Sequence, residues 1–213
     1  MRRVALVDYG SGNLPSAEKA LKKAAAALGG AEVSATADPD EIARADAVVL
    51  PGVGAFAASM AALGSRPGLV EAMNQAVHGR GVPFLGICVG MQLLAEQGHE
   101  FGLSRGLGWI GGEVRQLSPT DRTRKIPHMG WNSLDGSLTG PLMAGFETGV
   151  HMYFTHSLAL YPTDRACVAA TTDHGGAFVS AVTQGNVAGV QFHPEKSQDA
   201  GGRLLSNFLE WRP

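Results

Sequence analysis

The chain has 213 residues, 45% hydrophobic and 17% charged, a balance that fits a globular protein large enough to bury a core without disulfide staples. Its formal net charge of −2, with no basic cluster interleaved with aromatics, gives no electrostatic case for nucleic acid or an anionic membrane as partner. No apolar run approaches the roughly 18 residues of a membrane span. The apolar run after Met1-Arg2-Arg3 stops at Asp8, too early for a signal peptide, and two cysteines make no disulfide framework. A reducing, cytoplasmic setting is therefore expected.

Taken in order, residues 4–7 read as a buried strand, broken at Asp8-Tyr9-Gly10-Ser11-Gly12-Asn13. A helix follows, with Pro15 in its first turn, Leu14, Ala17, Leu21, Ala24 and Leu28 on one face, and Gly29-Gly30 as its stop. Residues 31–36 form a second strand, and Asp38-Pro39-Asp40-Glu41 opens a short helix. Residues 46–50 are a third strand, running into Pro51-Gly52-Val53-Gly54 and a helix that ends near Leu63. Val82-Pro83-Phe84-Leu85 is a fourth apolar run, and residues 91–97 read as a helix ending near Gly98. This alternation predicts a parallel sheet covered on both faces. Beyond Gly98 the texture changes: residues 109–117, 149–159, 167–172 and 177–192 read as strands, with a hairpin over 182–187. A helix over 199–211 closes the chain. The expected fold is thus α/β in the first half with mostly antiparallel strands added in the second. No repeat or linker divides residues 1–213, which predicts a single domain.

Gly86-Ile87-Cys88-Val89-Gly90-Met91-Gln92 occupies the corner between the fourth strand and the helix after it. A cysteine between glycines at such a corner has the form of a nucleophile elbow, the glycines leaving room in a tight turn. A helix N-terminus aimed at the sulfur favours thiolate, although a free cysteine is equally at home as a small core hydrophobe. Gly52-Val53-Gly54 fits a loose dinucleotide pattern, but the acid about 20 residues on is missing, since Glu71 falls in a helix. Such a loop can instead present N–H groups to an oxyanion. Loops after neighbouring parallel strands meet at one end of the sheet, so those holding Val53 and Cys88 can face one another. His193-Pro194-Glu195 follows the last apolar strand and supplies a base with a carboxylate to orient it. His78, His99 and His174 lie in surface-like stretches, Cys167 reads as core, and no ligand-like spacing suggests a metal site.

The two motifs, Gly86 through Gln92 and His193-Pro194-Glu195, resemble those of the class I (triad) glutamine amidotransferases. Asp8-Tyr9-Gly10-Ser11-Gly12-Asn13-Leu14, Pro51-Gly52-Val53-Gly54-Ala55-Phe56, Lys125-Ile126-Pro127-His128-Met129-Gly130-Trp131-Asn132, Tyr153-Phe154-Thr155-His156-Ser157 and His193-Pro194-Glu195-Lys196-Ser197 narrow the resemblance. Over residues 4–209 the chain is similar to the family of glutaminase subunits of imidazole glycerol phosphate synthase. The resemblance implies a flavodoxin-like, mostly parallel sheet with helices on both faces, and glutamine as substrate with no cofactor and no metal. It implies a heterodimer with the cyclase partner, a (β/α)8 barrel that takes the ammonia to make imidazole glycerol phosphate and AICAR in histidine biosynthesis. By match, Cys88 is the nucleophile, His193 the general base and acid, and Glu195 its orienting partner. Backbone N–H groups of Val53 and Val89 form the oxyanion hole, and Gly52, Gln92, His156 and Ser157 hold glutamine. Asn13, Lys125, Trp131 and Lys196 face the cyclase, and glutaminase activity is low until the cyclase binds its own ligand. Two departures are Leu158-Ala159, where the family carries aromatics, and Pro15, where a charge is usual. Three alternatives stand beside this reading: a same-fold glutaminase serving pyridoxal phosphate synthesis, a cysteine peptidase, and a catalytically idle binding or regulatory subunit.

Overall fold

The computed structural model describes residues 1–10, 13–121 and 123–213, so Ser11 and Gly12 of the Asp8–Leu14 motif lie outside the described residues. β1 (Arg2–Val7), β2 (Ala31–Thr36), β3 (Ala47–Gly52) and β4 (Phe84–Cys88) alternate with α1 (Leu14–Ala27), α2 (Pro39–Arg44), α3 (Phe56–Gly64) and α4 (Leu69–Asn74), as the apolar pattern predicts. Pro15 falls in the first turn of α1, where a missing N–H has no intrahelical partner to lose. Ala17, Leu21 and Ala24 are buried, but Leu28 follows the last helical residue and is 41% exposed, so it leaves the expected apolar face. Asp38 caps α2, its side chain accepting from the Asp40 N–H at 2.9 Å. Every residue of β3 and β4 is buried, which requires cover on both faces of the sheet.

The helix expected over 91–97 is a single turn, α5 (Val89–Gln92). The physical reason is competition for carbonyls. Those of Leu93, Leu94, Ala95 and Glu96 accept from the N–H groups of Leu107, Ile110, Gly108 and Gly106, leaving none to propagate a helix. Gln97 instead opens β5 (Gln97–His99), which pairs with β6 (Leu103–Arg105) and β7 (Gly112–Gln116). The strand expected from residue 109 starts at Gly112, because Trp109 turns inward, its indole donating to Asn74 Oδ1 at 3.1 Å. β8 (His128–Ser133) pairs with β9 (His151–His156) as a ribbon, and β10 (Leu158–Pro162) joins β7. The expected 149–159 strand is therefore two strands in two sheets, with Ser157 as the corner.

β11 (Val168–Asp173), β12 (Ala177–Gln184) and β13 (Val187–Val190) complete the main sheet, and α6 (Gln198–Glu210) closes the chain. The expected hairpin joins β12 to β13, with Gly185 at φ +58 in its two-residue loop. The main sheet runs β11-β12-β13-β4-β3-β1-β2. Its decisive feature is that β13, from the second half, lies parallel to β4 with Val190 opposite Ile87. On the other side of β4, Gly52 of β3 stands opposite Cys88. Three parallel strands thus end side by side, and the loops carrying Val53, Cys88 and His193 leave from neighbouring ends. Among the described residues no helix is long and apolar enough to cross a membrane.

Candidate active site

Cys88 ends β4 at φ +55, ψ −109, a conformation in which a side chain other than glycine is strained. The glycines around it are required by close approach of backbones. A Cβ on Gly90 would lie 1.9 Å from the Leu50 carbonyl oxygen, and one on Gly86 would lie 2.5 Å from the Gly90 oxygen. A Cβ on Gly52 would lie 2.8 Å from the Gly90 nitrogen. The elbow is therefore pressed onto β3. Cys88 is 3% exposed, at a cleft of about 190 Å³ whose wall includes Val53, Val89, Gln92, His156, Ser157 and His193. Eight of the predicted site residues, Lys196 among them, thus line one cleft, with Gly52 packed behind them. Val89 opens α5, where first-turn N–H groups have no intrahelical acceptor.

His193 Nδ1 lies 2.7 Å from Glu195 Oε1, with both side chains at most 2% exposed. A carboxylate accepts only, so Nδ1 carries the hydrogen and Nε2 is the nitrogen left for Cys88. Nε2 has no partner in normal hydrogen-bond geometry among the described residues. Burial opposes charge on the ring, but the Cys88 sulfur beside it and the Glu195 carboxylate bonded to Nδ1 outweigh it, raising His193 to about 9. The backbone is clamped as well. His193 N–H donates to the Tyr153 carbonyl at 2.9 Å, and Ser197 Oγ donates to the His193 carbonyl at 2.7 Å.

Asn13, expected on the surface that meets the cyclase, also reaches inward. It is half-buried at φ +71, and its Nδ2 donates to Glu195 Oε1 at 2.6 Å. Its neighbourhood in the sequence carries no signal of this, because the contact spans 182 positions.

Behind the cleft, His156 Nδ1 donates to the Leu158 carbonyl at 2.8 Å, and His128 Nδ1 donates to His156 Nε2 at 3.0 Å. Both ring nitrogens of His156 are engaged, so its backbone is what it offers the cleft. Burial first, then neighbouring histidine charge, against an opposing hydrogen bond to Leu158, pushes His156 down to about 3. Burial first, then the charges of His174 and Arg124, pushes His128 down to about 4. His174, which reads as a surface residue in sequence, stacks on His128 with ring centroids 4.1 Å apart. Leu158 lines the cleft and Ala159 is fully buried, so the departure from the family's aromatics leaves a smaller wall here.

Trp131, Lys125 and Lys196 are exposed, and Lys196 also lines the cleft. Trp131 is 47% exposed, stands opposite Tyr153 across the ribbon and meets its ring edge-on at 6.0 Å. Lys196, exposed, holds its ammonium over the Tyr153 ring, 5.8 Å from the ring centroid. Lys125 is exposed and apart from that pair, its carbonyl accepting from His174 Nε2 at 2.9 Å. Cys167 is buried, with Sγ bonded to the Asp164 carbonyl at 3.0 Å and its thiol pushed up by burial and by the Asp164 charge.

The model of the family "Glutamine amidotransferase class-I" matches residues 5–211. Imidazole glycerol phosphate synthase subunit HisH of Caulobacter vibrioides is 60% identical over 100% of both chains. The HisH subunit of Rhodospirillum rubrum is 54% identical over 99% of this chain and 100% of its own. Among solved structures, one described as a glutamine amidotransferase has TM-score 0.72 at 20% identity, covering 97% of each chain. The glutaminase domain of Trypanosoma brucei CTPS has TM-score 0.65 at 17% identity, covering 98% of this chain and 92% of its own. At such identities these structures speak to the fold alone, and they agree with the α/β sheet described above. The chain belongs to the class I glutamine amidotransferases, in the family of the imidazole glycerol phosphate synthase subunit HisH.

Proposed function

We propose that this protein hydrolyses glutamine at Cys88 and delivers the ammonia to the cyclase subunit of an imidazole glycerol phosphate synthase, in histidine biosynthesis. The observation that carries the chemistry is the register of β3, β4 and β13, which sets Cys88 beside His193 with Glu195 on the far nitrogen. With the Cys88 proton held on His193 Nε2, Sγ bonds to the side-chain amide carbon of glutamine. The carbonyl oxygen becomes an oxyanion held by backbone N–H groups of Val53 and Val89, each such donor being worth roughly 2.7–4 kcal/mol of barrier in comparable sites. His193 returns its proton to the amide nitrogen, the C–N bond breaks, and ammonia leaves the thioester. His193 then takes a proton from water as its oxygen attacks the thioester, and glutamate departs as the thiol is restored. Glu195 holds the Nδ1–H and stabilises the charged ring throughout.

Gln92, Ser157 and the His156 backbone hold glutamine, and Gly52 keeps β3 close enough for Val53 to reach the oxyanion. The partner is a (β/α)8 barrel in a cytoplasmic heterodimer, met by Trp131, Lys196, Lys125 and Asn13. Asn13 has a double part, since its amide also fixes the Glu195 carboxylate. Residues 1–213 act as one glutaminase domain. Ammonia set free in neutral water is mostly protonated and not nucleophilic, so release toward an enclosed path in the partner suits the chemistry.

The test is glutamate release from glutamine by the protein alone and with the liganded cyclase, beside Cys88→Ala and beside ammonium salt. The expected result is release only by wild type, stimulated by the liganded cyclase, with ammonium restoring cyclase product in both. Equal release with and without the cyclase overturns the assigned acceptor. No release under any condition overturns the hydrolytic reading.

A further inference from the structure

Gln191 belongs to none of the motifs above, yet it is fully buried two residues before His193 and touches both sides of the cleft. Its Nε2 lies 3.7 Å from Cys88 Sγ, and its Oε1 lies 3.0 Å from Gln92 Nε2. Amide nitrogen and oxygen are told apart by their partners, and here one backbone carbonyl decides both amides. Leu158 C=O can only accept, so the Gln92 atom 3.0 Å from it is the NH2. That same NH2 faces Gln191, whose facing atom must then be its oxygen. The atom Gln191 turns toward the sulfur is therefore its NH2, a donor. The histidines behind agree with this polarity, since His156 Nδ1 also donates to the Leu158 carbonyl and is supplied in turn by His128. The Gln191 backbone N–H, bonded to the Ser180 carbonyl at 2.9 Å, anchors the residue to β12.

We propose that Gln191 is a further residue of the reacting site, giving an N–H to the Cys88 sulfur while its carbonyl positions the Gln92 amide. Both N–H groups of Gln92 are then used by Leu158 and Gln191, so the Gln92 carbonyl is what its amide presents to the substrate. Gln191 thus acts on chemistry through the sulfur and on binding through Gln92. The inference rests on the reading of Cys88 as the nucleophile.

Two variants separate these roles. Gln191→Glu, measured at a pH where the new carboxylate is charged, keeps an acceptor for Gln92 and removes the donor to sulfur. Gln191→Met keeps the volume and removes both. The readouts are the rate of Cys88 alkylation by iodoacetamide, located by peptide mass spectrometry, and kcat and KM for glutamine with the liganded cyclase. For Gln191→Glu, alkylation rate and kcat fall about tenfold with KM within about threefold of wild type, one lost hydrogen bond to a reacting sulfur being of that order. For Gln191→Met, alkylation and kcat fall similarly and KM also rises about tenfold. Wild-type alkylation and turnover in both variants, or equal loss of kcat and KM in both, overturns the proposal. If Gln191→Met lacks a native melting transition, the kcat against KM split in Gln191→Glu decides alone. If wild type is alkylated at Cys88 but never turns over glutamine, the hydrolytic reading falls, and the alkylation rates still decide whether Gln191 serves the sulfur.

Discussion

At the carboxyl end of β3, β4 and β13 polar side chains are buried and matched: His193 and Glu195, Gln92 and Gln191, His156 and His128. On the outer side of the β8–β9 ribbon the reverse holds, with apolar Met129 and Trp131 65% and 47% exposed. One strand belongs to both regions, because β8 alternates and sends His128 inward while Met129 and Trp131 point out. Paired buried polar groups hold fixed protonation states and orientations, and the unpaired His193 Nε2 is the one left facing the reacting sulfur. An exposed apolar pair beside a cationic Lys196 is suited instead to being covered. The two faces nevertheless meet at the cleft, since Thr155, opposite Met129, and Lys196 line it beside Cys88.

The comparison breaks most visibly at the sulfur. Cys88→Ala is expected to lower glutamine hydrolysis by at least about 10⁴-fold, with cyclase binding unchanged in a pull-down. Loss of binding as well would mean that the two regions are not separable. Glu195→Gln keeps the shape but removes the charge that holds the His193 Nδ1–H, and a fall of roughly 10³–10⁴-fold in kcat is expected. A fall under tenfold would leave Glu195 as a structural contact only. On the outer face, Trp131→Ala is expected to weaken cyclase association by about 30-fold, as loss of a central aromatic does, without changing Cys88 alkylation in the isolated protein. Unchanged association would sink the docking assignment.

The smallest effect is on pH. His193, raised to about 9, contributes stability that is present below its unfolded value of 6.5 and is lost as pH rises through about 9. His156 and His128, lowered to about 3 and about 4, take up protons more readily when unfolded, so their contribution falls as pH drops below 6.5. Histidine NMR titrations should give one midpoint far above 6.5 and two far below it. His156 titrating near 6.5 would show that the inner region is not sealed as described. In Glu195→Gln the alkaline loss of melting temperature should flatten, because one cause of the raised value is gone.

What the sequence made legible follows the range of each interaction. β2 falls on 31–36 as expected, and α2 opens at its Asp38 cap, because alternation and capping are local. The 91–97 helix was not legible as a single turn, since the carbonyls that would extend it bond to residues 106–110. The elbow and His193-Pro194-Glu195 could be read as motifs. Their adjacency depends on β13 crossing over to pair with β4, which no local pattern encodes. In the sequence His128 is legible only as part of a motif, and Asn13 only as part of a partner-facing surface. Their inward contacts arise from the register His128↔His156 and from a turn brought against Glu195 across the whole fold.

The most direct test of the central claim, that strand register makes Cys88 the atom that attacks glutamine, is trapping of the intermediate. The protein, with liganded cyclase, would be mixed with isotope-labelled glutamine, quenched in acid during turnover and digested for mass spectrometry. A labelled glutamyl thioester on the Cys88 peptide, absent from Cys167 and from Cys88→Ala, is the predicted result. Labelled glutamate released with no adduct on Cys88, and undiminished in Cys88→Ala, would contradict it.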